Sequence, residues 1–97
     1  MRDPLFMGID VGTQGARAIV VDDRGSVRAE ADRPFGTAPA PSLPAGWFEQ
    51  DPAHWWASAR EAVRICVAAL EGGGGTAEQI RALAVTSTSG TIVPIDA

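Results

Sequence analysis

The chain has 97 residues, a formal net charge of −4 and a hydrophobic fraction of 45%, which suits one small domain and excludes two ordinary ones. The negative charge and the lack of a basic stripe predict no nucleic-acid partner, because phosphate backbones are bound by clustered cations. All eight basic residues are Arg, so a Walker A loop, which needs a Lys, is excluded.

Other features of the sequence bear on where the protein works. The single cysteine, Cys66, offers no disulfide framework and fits a reducing compartment. No apolar run approaches the length of a membrane span, and the first residues lack the basic end and apolar core of a signal peptide. We therefore expect a cytoplasmic protein with no membrane partner.

The first predicted element is a β-hairpin. Apolar runs at 5–9 and 18–21 flank the segment 10–17, which has Gly at positions 12 and 15. Such a turn can present a nest of backbone N–H groups to a phosphate, with the carboxylate of Asp10 beside it for a hydrated Mg²⁺. The same pattern also fits a hairpin without a ligand, and the residues alone leave that alternative open.

Two segments after the hairpin predict a strand and a loop. A tight turn at 23–25 and an alternating segment at 26–32 predict a third strand, at the edge of an antiparallel meander. Residues 34–46 include four prolines and two glycines, so they are predicted to form an irregular surface loop.

The next predicted element is a helix. Asp51 followed by Pro52 predicts its start, because Asp accepts from free N–H groups and Pro suits the first helical position. We expect the helix to run to about Leu70, with an apolar stripe toward the core and Ser58 on the outer face. The stripe consists of Trp56, Ala59, Val63, Cys66, Val67 and Leu70, widened by Trp55, Ala62 and Ala69.

Two further strands are predicted after the helix. Residues 81–86 predict a buried strand, parallel to the first strand because a helix separates it from the meander. Residues 91–96 predict an edge strand, since Pro94 has no N–H for a central ladder. The predicted fold class is therefore α/β: a three-stranded antiparallel meander, a helix, a parallel strand and one further edge strand.

Three segments resemble the N-terminal part of the FGGY carbohydrate kinases, a family with the ribonuclease H-like fold of actin-like ATPases. The first is 10–17, where the pattern Asp-x-Gly-Thr-x-x-x-Arg is similar to the family's phosphate hairpin. The second is 46–56, with the run Gly-Trp-Phe-Glu-Gln-Asp-Pro and two further Trp residues. The third is 84–96, similar to a strand-turn-strand beside the family's sugar pocket. Together they cover nearly the whole chain.

The resemblance implies a function for the parent protein. It implies ATP-dependent phosphorylation of a sugar or polyol, with ATP and Mg²⁺ as cofactors. It also implies that residues 1–97 are an incomplete part of the first of two domains, with the second domain absent. The catalytic Asp is expected beyond residue 97, so we expect these residues alone to be inactive. Whether the protein forms a homodimer is left open.

The resemblance also implies roles for individual residues. Asp10 is expected to hold Mg²⁺ through water. The residues expected to bind the ATP phosphates are Gly12, Thr13, Gln14, Gly15 and Arg17. The residues expected to bind the substrate are Glu49, Gln50, Thr88, Ser89 and Gly90. For Glu49 and Gln50, pairing with backbone at the helix start is an alternative of at least equal weight.

The turn at 87–90 bears on the choice of substrate. It lacks the Arg-Glu pair of glycerol kinases and the Met-His-Gly run of common xylulokinases, so glycerol is disfavoured and a xylulokinase of the common type is not expected. Its Thr-Ser-Gly turn loosely resembles that of kinases for pentuloses such as xylulose or ribulose, which are the favoured substrates. Two alternatives stay open: a non-catalytic domain that needs a partner or missing domain to cover its apolar face, and another actin-like ATPase. The segment 46–52 argues against the second alternative.

Overall fold

The computed structural model describes residues 2–36, 43–47 and 49–96. These residues form a mixed sheet whose spatial strand order is β3-β2-β1-β4, with one long helix packed against it. The elements in chain order are β1 (Leu5–Val11), β2 (Gly15–Asp22), β3 (Val27–Pro34), α1 (Pro52–Gly72), a 3₁₀ turn (Ala77–Gln79) and β4 (Ile80–Ser87). The predicted α/β class is confirmed.

The pairing of the strands fixes which residues lie side by side. β1 and β2 are antiparallel, with Asp10 opposite Arg17, and β3 is antiparallel to β2 at the outer edge, with Arg17 opposite Asp32. β4 runs parallel to β1 on its other side, with Asp10 opposite Thr86. The predicted meander, its edge strand and the parallel strand are therefore confirmed.

Helix α1 begins as the sequence predicts. The side chain of Asp51 accepts a hydrogen bond from the N–H of Ala53 at 2.9 Å, and Pro52 occupies the first turn. The predicted loop before the helix starts later than expected, because Pro34 still belongs to β3. Its residues 37–42 lie outside the described part of the chain, as does Phe48 of the segment 46–52.

The buried face of α1 matches the predicted stripe in part, because Ala62, Cys66 and Leu70 of that stripe are buried. Its buried residues recur every four positions, as Ser58, Ala62, Cys66 and Leu70. Ser58 is therefore inside rather than outside, and its hydroxyl donates to the carbonyl of Pro34 at 3.1 Å, so the buried polar group is satisfied. Trp56 is 66% exposed, so its predicted place in the core is wrong.

The core lies between α1 and one side of the sheet. The helix packs mainly against β2 and β3, with far less contact to β1. Small side chains on β2 let the helix approach closely, since Ala has no atoms beyond Cβ. The buried apolar residues are Leu5, Met7, Ala16, Ala18, Val20, Ala29, Ala62, Cys66 and Leu70.

Strand β4 is not covered by the helix. Residues 81–87 are all exposed, and the side chains of Leu83 and Val85 keep 60% and 62% of their surface open. The prediction of a buried strand at 81–86 is therefore wrong in its burial, although the strand itself is present. The reason is the position of α1, which lies over the opposite part of the sheet.

The predicted edge strand at 91–96 is wrong. These residues follow β4 without strand pairing. Gly90 has a φ of 77°, which turns the chain away from the direction of β4. Pro94 then has no N–H to donate to a neighbouring strand.

In the described ranges, α1 and the short turn are the helical segments, and neither has the length and hydropathy needed to cross a bilayer.

Candidate functional site

The tip of the β1–β2 hairpin is closed by backbone hydrogen bonds. The N–H of Gly12 donates to the carbonyl of Gly15, and the N–H of Phe35 donates to the carbonyl of Gln14, both at 2.9 Å. Gly15 is needed because β3 passes very close: a Cβ there would collide with the carbonyl oxygen of Arg33. The tip is therefore held against the end of β3.

The turn leaves backbone donors available. Among the hydrogen bonds formed by residues 2–36, 43–47 and 49–96, none uses the N–H of Thr13 or of Gln14. Both residues are exposed. Successive free N–H groups at a tight turn form a local positive site, which is the arrangement that binds phosphate oxygens.

A cleft of about 550 Å³ lies along the hairpin, and we name it the hairpin cleft. It brings together all six residues predicted to hold phosphate and metal. Its lining residues are Asp10, Gly12, Thr13, Gln14, Gly15, Ala16, Arg17, Asp32 and Pro34.

Asp32 in the hairpin cleft was missed by sequence reasoning. Its carboxylate accepts from the guanidinium of Arg17 at 3.5 Å, and both side chains are about two-thirds exposed. The tight turn between β2 and β3 alone would place Ala31 opposite Arg17, but a register shift between Val20 and Val21 brings Asp32 there instead. No sequence signal could therefore have found it. The exposed pair holds the charge of Arg17 beside the cleft and adds little stability.

The residues present fit a Mg²⁺ that is shared with phosphate. No group of three or more His, Cys, Asp or Glu side chains is gathered in the described residues, so a closed protein cage for a metal is not seen there. Mg²⁺ usually keeps several waters and binds through one or two carboxylates plus the phosphates of its substrate. Asp10, beside the free N–H groups of the turn, provides such a carboxylate.

A second cleft, of about 590 Å³, lies between the hairpin, the start of α1 and the end of β4, and we name it the helix-start cleft. Of the predicted substrate residues, Glu49, Gln50 and Thr88 line it, whereas Ser89 and Gly90 do not. Its lining residues are Val11, Gly12, Thr13, Glu49, Gln50, Trp55, Ser87, Thr88 and Thr91.

Hydroxyl groups line one side of the helix-start cleft. The Oγ1 atoms of Thr88 and Thr91 lie 2.7 Å apart, so one hydroxyl donates to the other. Sequence reasoning missed Thr91 as a lining residue because it had been placed in a strand. A wall of paired hydroxyls can exchange hydrogen bonds with a polyhydroxylated ligand.

A family model, described as the FGGY family of carbohydrate kinases, N-terminal domain, matches residues 5–97. The chain belongs to the FGGY family. The resemblance that the three sequence segments indicated is thereby confirmed. Two similar curated proteins are glycerol kinases: that of Koribacter versatilis is 38% identical over 99% of this chain, and that of Rhodopseudomonas palustris is 35% identical over 97%.

Solved structures of sugar kinases are similar in fold. A xyloylose kinase from Brucella ovis matches 86% of the chain with a TM-score of 0.67 and 27% identity. A xylulose kinase from Rhodospirillum rubrum matches 88% with a TM-score of 0.61 and 34% identity. This FGGY chain spans only 18% of each glycerol kinase and 16% of each solved structure.

The two clefts of this FGGY domain meet at the hairpin tip. Gly12 and Thr13 line both of them. The carboxamide of Gln50 joins the tip to the helix: its Nε2 donates to the carbonyl of Thr13 at 2.8 Å, and its Oε1 accepts from the indole N–H of Trp55 at 2.9 Å. The expected alternative, pairing with backbone at the helix start, is therefore not seen for Gln50, whose backbone partner lies in the hairpin.

Cys66 takes no part in either cleft. It lies on the buried face of α1, and its burial, together with the nearby charge of Glu30, raises the pKa of its thiol. A thiol that stays protonated is a poor nucleophile, which fits a packing role.

Proposed function

We propose that the protein to which this chain belongs transfers the terminal phosphoryl group of ATP to a hydroxyl of a sugar or polyol. The observation that carries the proposal is the wall shared by the two clefts. A phosphoryl group bound at Gly12 and Thr13 from the hairpin cleft would lie next to an acceptor in the helix-start cleft. Phosphoryl transfer requires this adjacency, because the attacking and leaving oxygens must be in line.

On the nucleotide side, the hairpin supplies the groups that phosphate needs. The free N–H groups of Thr13 and Gln14 would donate to phosphate oxygens, with Gly12 and Gly15 allowing close backbone approach. Arg17, held by Asp32, would add a fixed positive charge. Asp10 would bind the waters of a Mg²⁺, which neutralises charge on the phosphates when bound.

On the acceptor side, polar side chains surround the helix-start cleft. Glu49, Gln50 and Thr88 would contact the acceptor or hold its surroundings, and Ser89 with Gly90 would shape the neighbouring turn. The general base is proposed to be an Asp from another part of the protein. Phosphoryl transfer needs such a group to accept the proton of the attacking hydroxyl.

The acceptor that we propose to test first is a pentulose such as xylulose or ribulose. The turn at 87–90 carries hydroxyls and no charged side chain, which suits a neutral sugar. The named relatives include both glycerol and xylulose kinases, so they support the broader class of sugar or polyol. We further propose that the protein works in the cytoplasm, where a free thiol such as Cys66 stays reduced.

The experiment is an acceptor screen with the full-length natural protein. ADP release is measured with ATP and Mg²⁺ in the presence of individual pentuloses, hexuloses and polyols, including glycerol. We expect one acceptor to stimulate ADP release, and Asp10→Asn to lower that stimulation at least tenfold by weakening the metal site. ADP release that no acceptor stimulates contradicts the proposal, and stimulation by glycerol alone contradicts the pentulose preference.

A further inference from the structure

The hydrogen bond between Gln50 and Thr13 links parts of the chain that are 37 residues apart. Within the described residues, it is the hydrogen bond that joins the hairpin tip to the segment before α1. It ends on a backbone carbonyl of the proposed phosphate turn, so it acts on the conformation of that turn. This contact at the surface can therefore affect how the turn presents its N–H groups to phosphate.

The chemistry of Trp55 determines which way the carboxamide of Gln50 faces. An indole N–H can only donate, so it selects the amide oxygen of Gln50. The NH₂ group is then left to face the carbonyl of Thr13, which can only accept. Each of the two partners is compatible with only one orientation of the amide, and it is the same orientation for both.

The carbonyl of Thr13 and the N–H of Gln14 belong to the same peptide unit. In a planar trans peptide the two groups point in opposite directions. Gln50 lines the helix-start cleft and Gln14 lines the hairpin cleft. By holding the carbonyl on the first side, Gln50 keeps the N–H of Gln14 turned toward the second.

We propose that Gln50 is a positioning residue, which fixes the Thr13–Gln14 peptide so that the Gln14 N–H stays aimed at phosphate. The proposal rests on the function proposed above, because it takes phosphate as the ligand of the hairpin cleft. In this proposal Gln50 affects the binding of the nucleotide, and direct contact with the acceptor is not its main role. Preorganised donors of this kind bind an anion without a further cost of ordering.

The variant that tests the proposal is Gln50→Glu. A carboxylate can still accept from Trp55, but it has no hydrogen to donate and places negative oxygen against the carbonyl of Thr13. In the full-length protein we expect the KM for ATP to rise about tenfold, with a much smaller change in the KM for the acceptor. Trp55→Phe, which keeps an aromatic ring and removes the N–H, should change the KM for ATP in the same direction by less.

Gln79→Glu is the matched control. Gln79 makes a similar bridge at the other end of the sheet, where its Oε1 accepts from the N–H of Thr76 at 2.8 Å and its Nε2 donates to the carbonyl of Asp3 at 3.0 Å. The chemical change is identical and the cost in stability should be comparable. Because Gln79 lines neither cleft, the KM for ATP should stay at the wild-type value.

Hydrogen exchange of the full-length protein provides a readout that does not depend on activity. Gln50→Glu should speed exchange in a peptide covering 8–17, and Gln79→Glu should leave that peptide unchanged. If Gln50→Glu raises only the KM for the acceptor, or leaves exchange at 8–17 unchanged, the positioning role is overturned. If the wild-type protein shows no acceptor-stimulated ADP release, the proposed function fails, and the exchange result still decides whether Gln50 fixes the turn.

Discussion

The hairpin cleft and the helix-start cleft are built in different ways. The hairpin cleft draws its lining from β1, β2 and the end of β3, which are neighbours in one antiparallel meander. The helix-start cleft draws its lining from the hairpin tip, the segment before α1 and the end of β4. The first is held by continuous backbone pairing, and the second depends on how separate elements are placed.

Because of this difference, we expect the hairpin cleft to be rigid and the helix-start cleft to vary more easily. A phosphate group is the same in every reaction of the proposed type, so a turn fixed by the sheet suits it. Acceptors differ from one another, and a wall made of loop residues can change without disturbing the sheet. The side chain of Gln50 is where the two parts are connected.

The largest effect is expected from a change inside the hairpin cleft. In Gly15→Ala, the added Cβ would collide with the carbonyl of Arg33 and lie 2.8 Å from the Cα of Pro34, so β2 and β3 must move apart. We expect a loss of about 3 kcal/mol in the free energy of unfolding, measured by chemical denaturation.

Gly12→Ala is the control for that prediction. A Cβ on Gly12 would meet its nearest atom, the carbonyl oxygen of Gly15, at an ordinary 3.7 Å, and Gly12 is not among the glycines with positive φ. Its unfolding free energy should change by about 0.5 kcal/mol or less. Equal losses for the two variants would show that the close approach of β3 does not determine the choice of Gly15.

A smaller effect is expected where α1 meets the end of β3. Ser58→Ala removes the hydroxyl that donates to Pro34, a residue of the hairpin cleft, and leaves the carbonyl without that partner. We expect a loss of about 1 kcal/mol in the free energy of unfolding. Ala69→Ser, at an exposed position of the same helix, is the control. It measures the difference in helix propensity between Ser and Ala without the hydrogen bond. A Ser58→Ala variant as stable as the wild type would contradict the contact.

The next effect is a pH dependence of stability, caused by a carboxylate that lines neither cleft. Hydrogen bonds from the N–H groups of Ser26 and Arg24, with the nearby charge of Arg28, hold the pKa of Asp22 below its usual range. Because the folded pKa is lowered, the stabilisation is present above the unfolded value of about 3.9 and is lost as pH falls through the folded pKa. Between about pH 5 and pH 2, the Asp22→Asn variant should lose less stability than the wild type. The loss is measured as the change in thermal unfolding temperature with pH. An unchanged acid profile would contradict the role of this carboxylate.

The same difference between the clefts explains why the sequence predicts the lining of one cleft better than that of the other. The six residues expected at phosphate and metal all line one cleft, because a hairpin fixes its own neighbours through local register. In the helix-start cleft, Thr88 is found but Ser89 and Gly90 are not in the lining. That outcome depends on how the chain turns at Gly90, which spacing along the sequence does not specify.

The errors in the predicted fold have a related cause. An apolar segment predicts burial only if another element covers it, and α1 lies over β2 and β3 rather than β4. In the helix stripe, Trp56 was placed inside because its side chain is large and apolar, yet it is exposed. The polar Ser58 is buried because β3 offers it a carbonyl, and such a partner is visible only in three dimensions.

The smallest effect is expected at Trp56, beside the bonded Trp55. Its ring is 66% exposed, so Trp56→Gln should change the free energy of unfolding by about 0.5 kcal/mol or less. Leu70→Ala on the same helix should cost about 3 kcal/mol, although Leu is the smaller residue, because its side chain is 2% exposed. Both variants are compared by chemical denaturation in the full-length protein. A loss at Trp56 as large as that at Leu70 would mean that another part of the protein covers the ring.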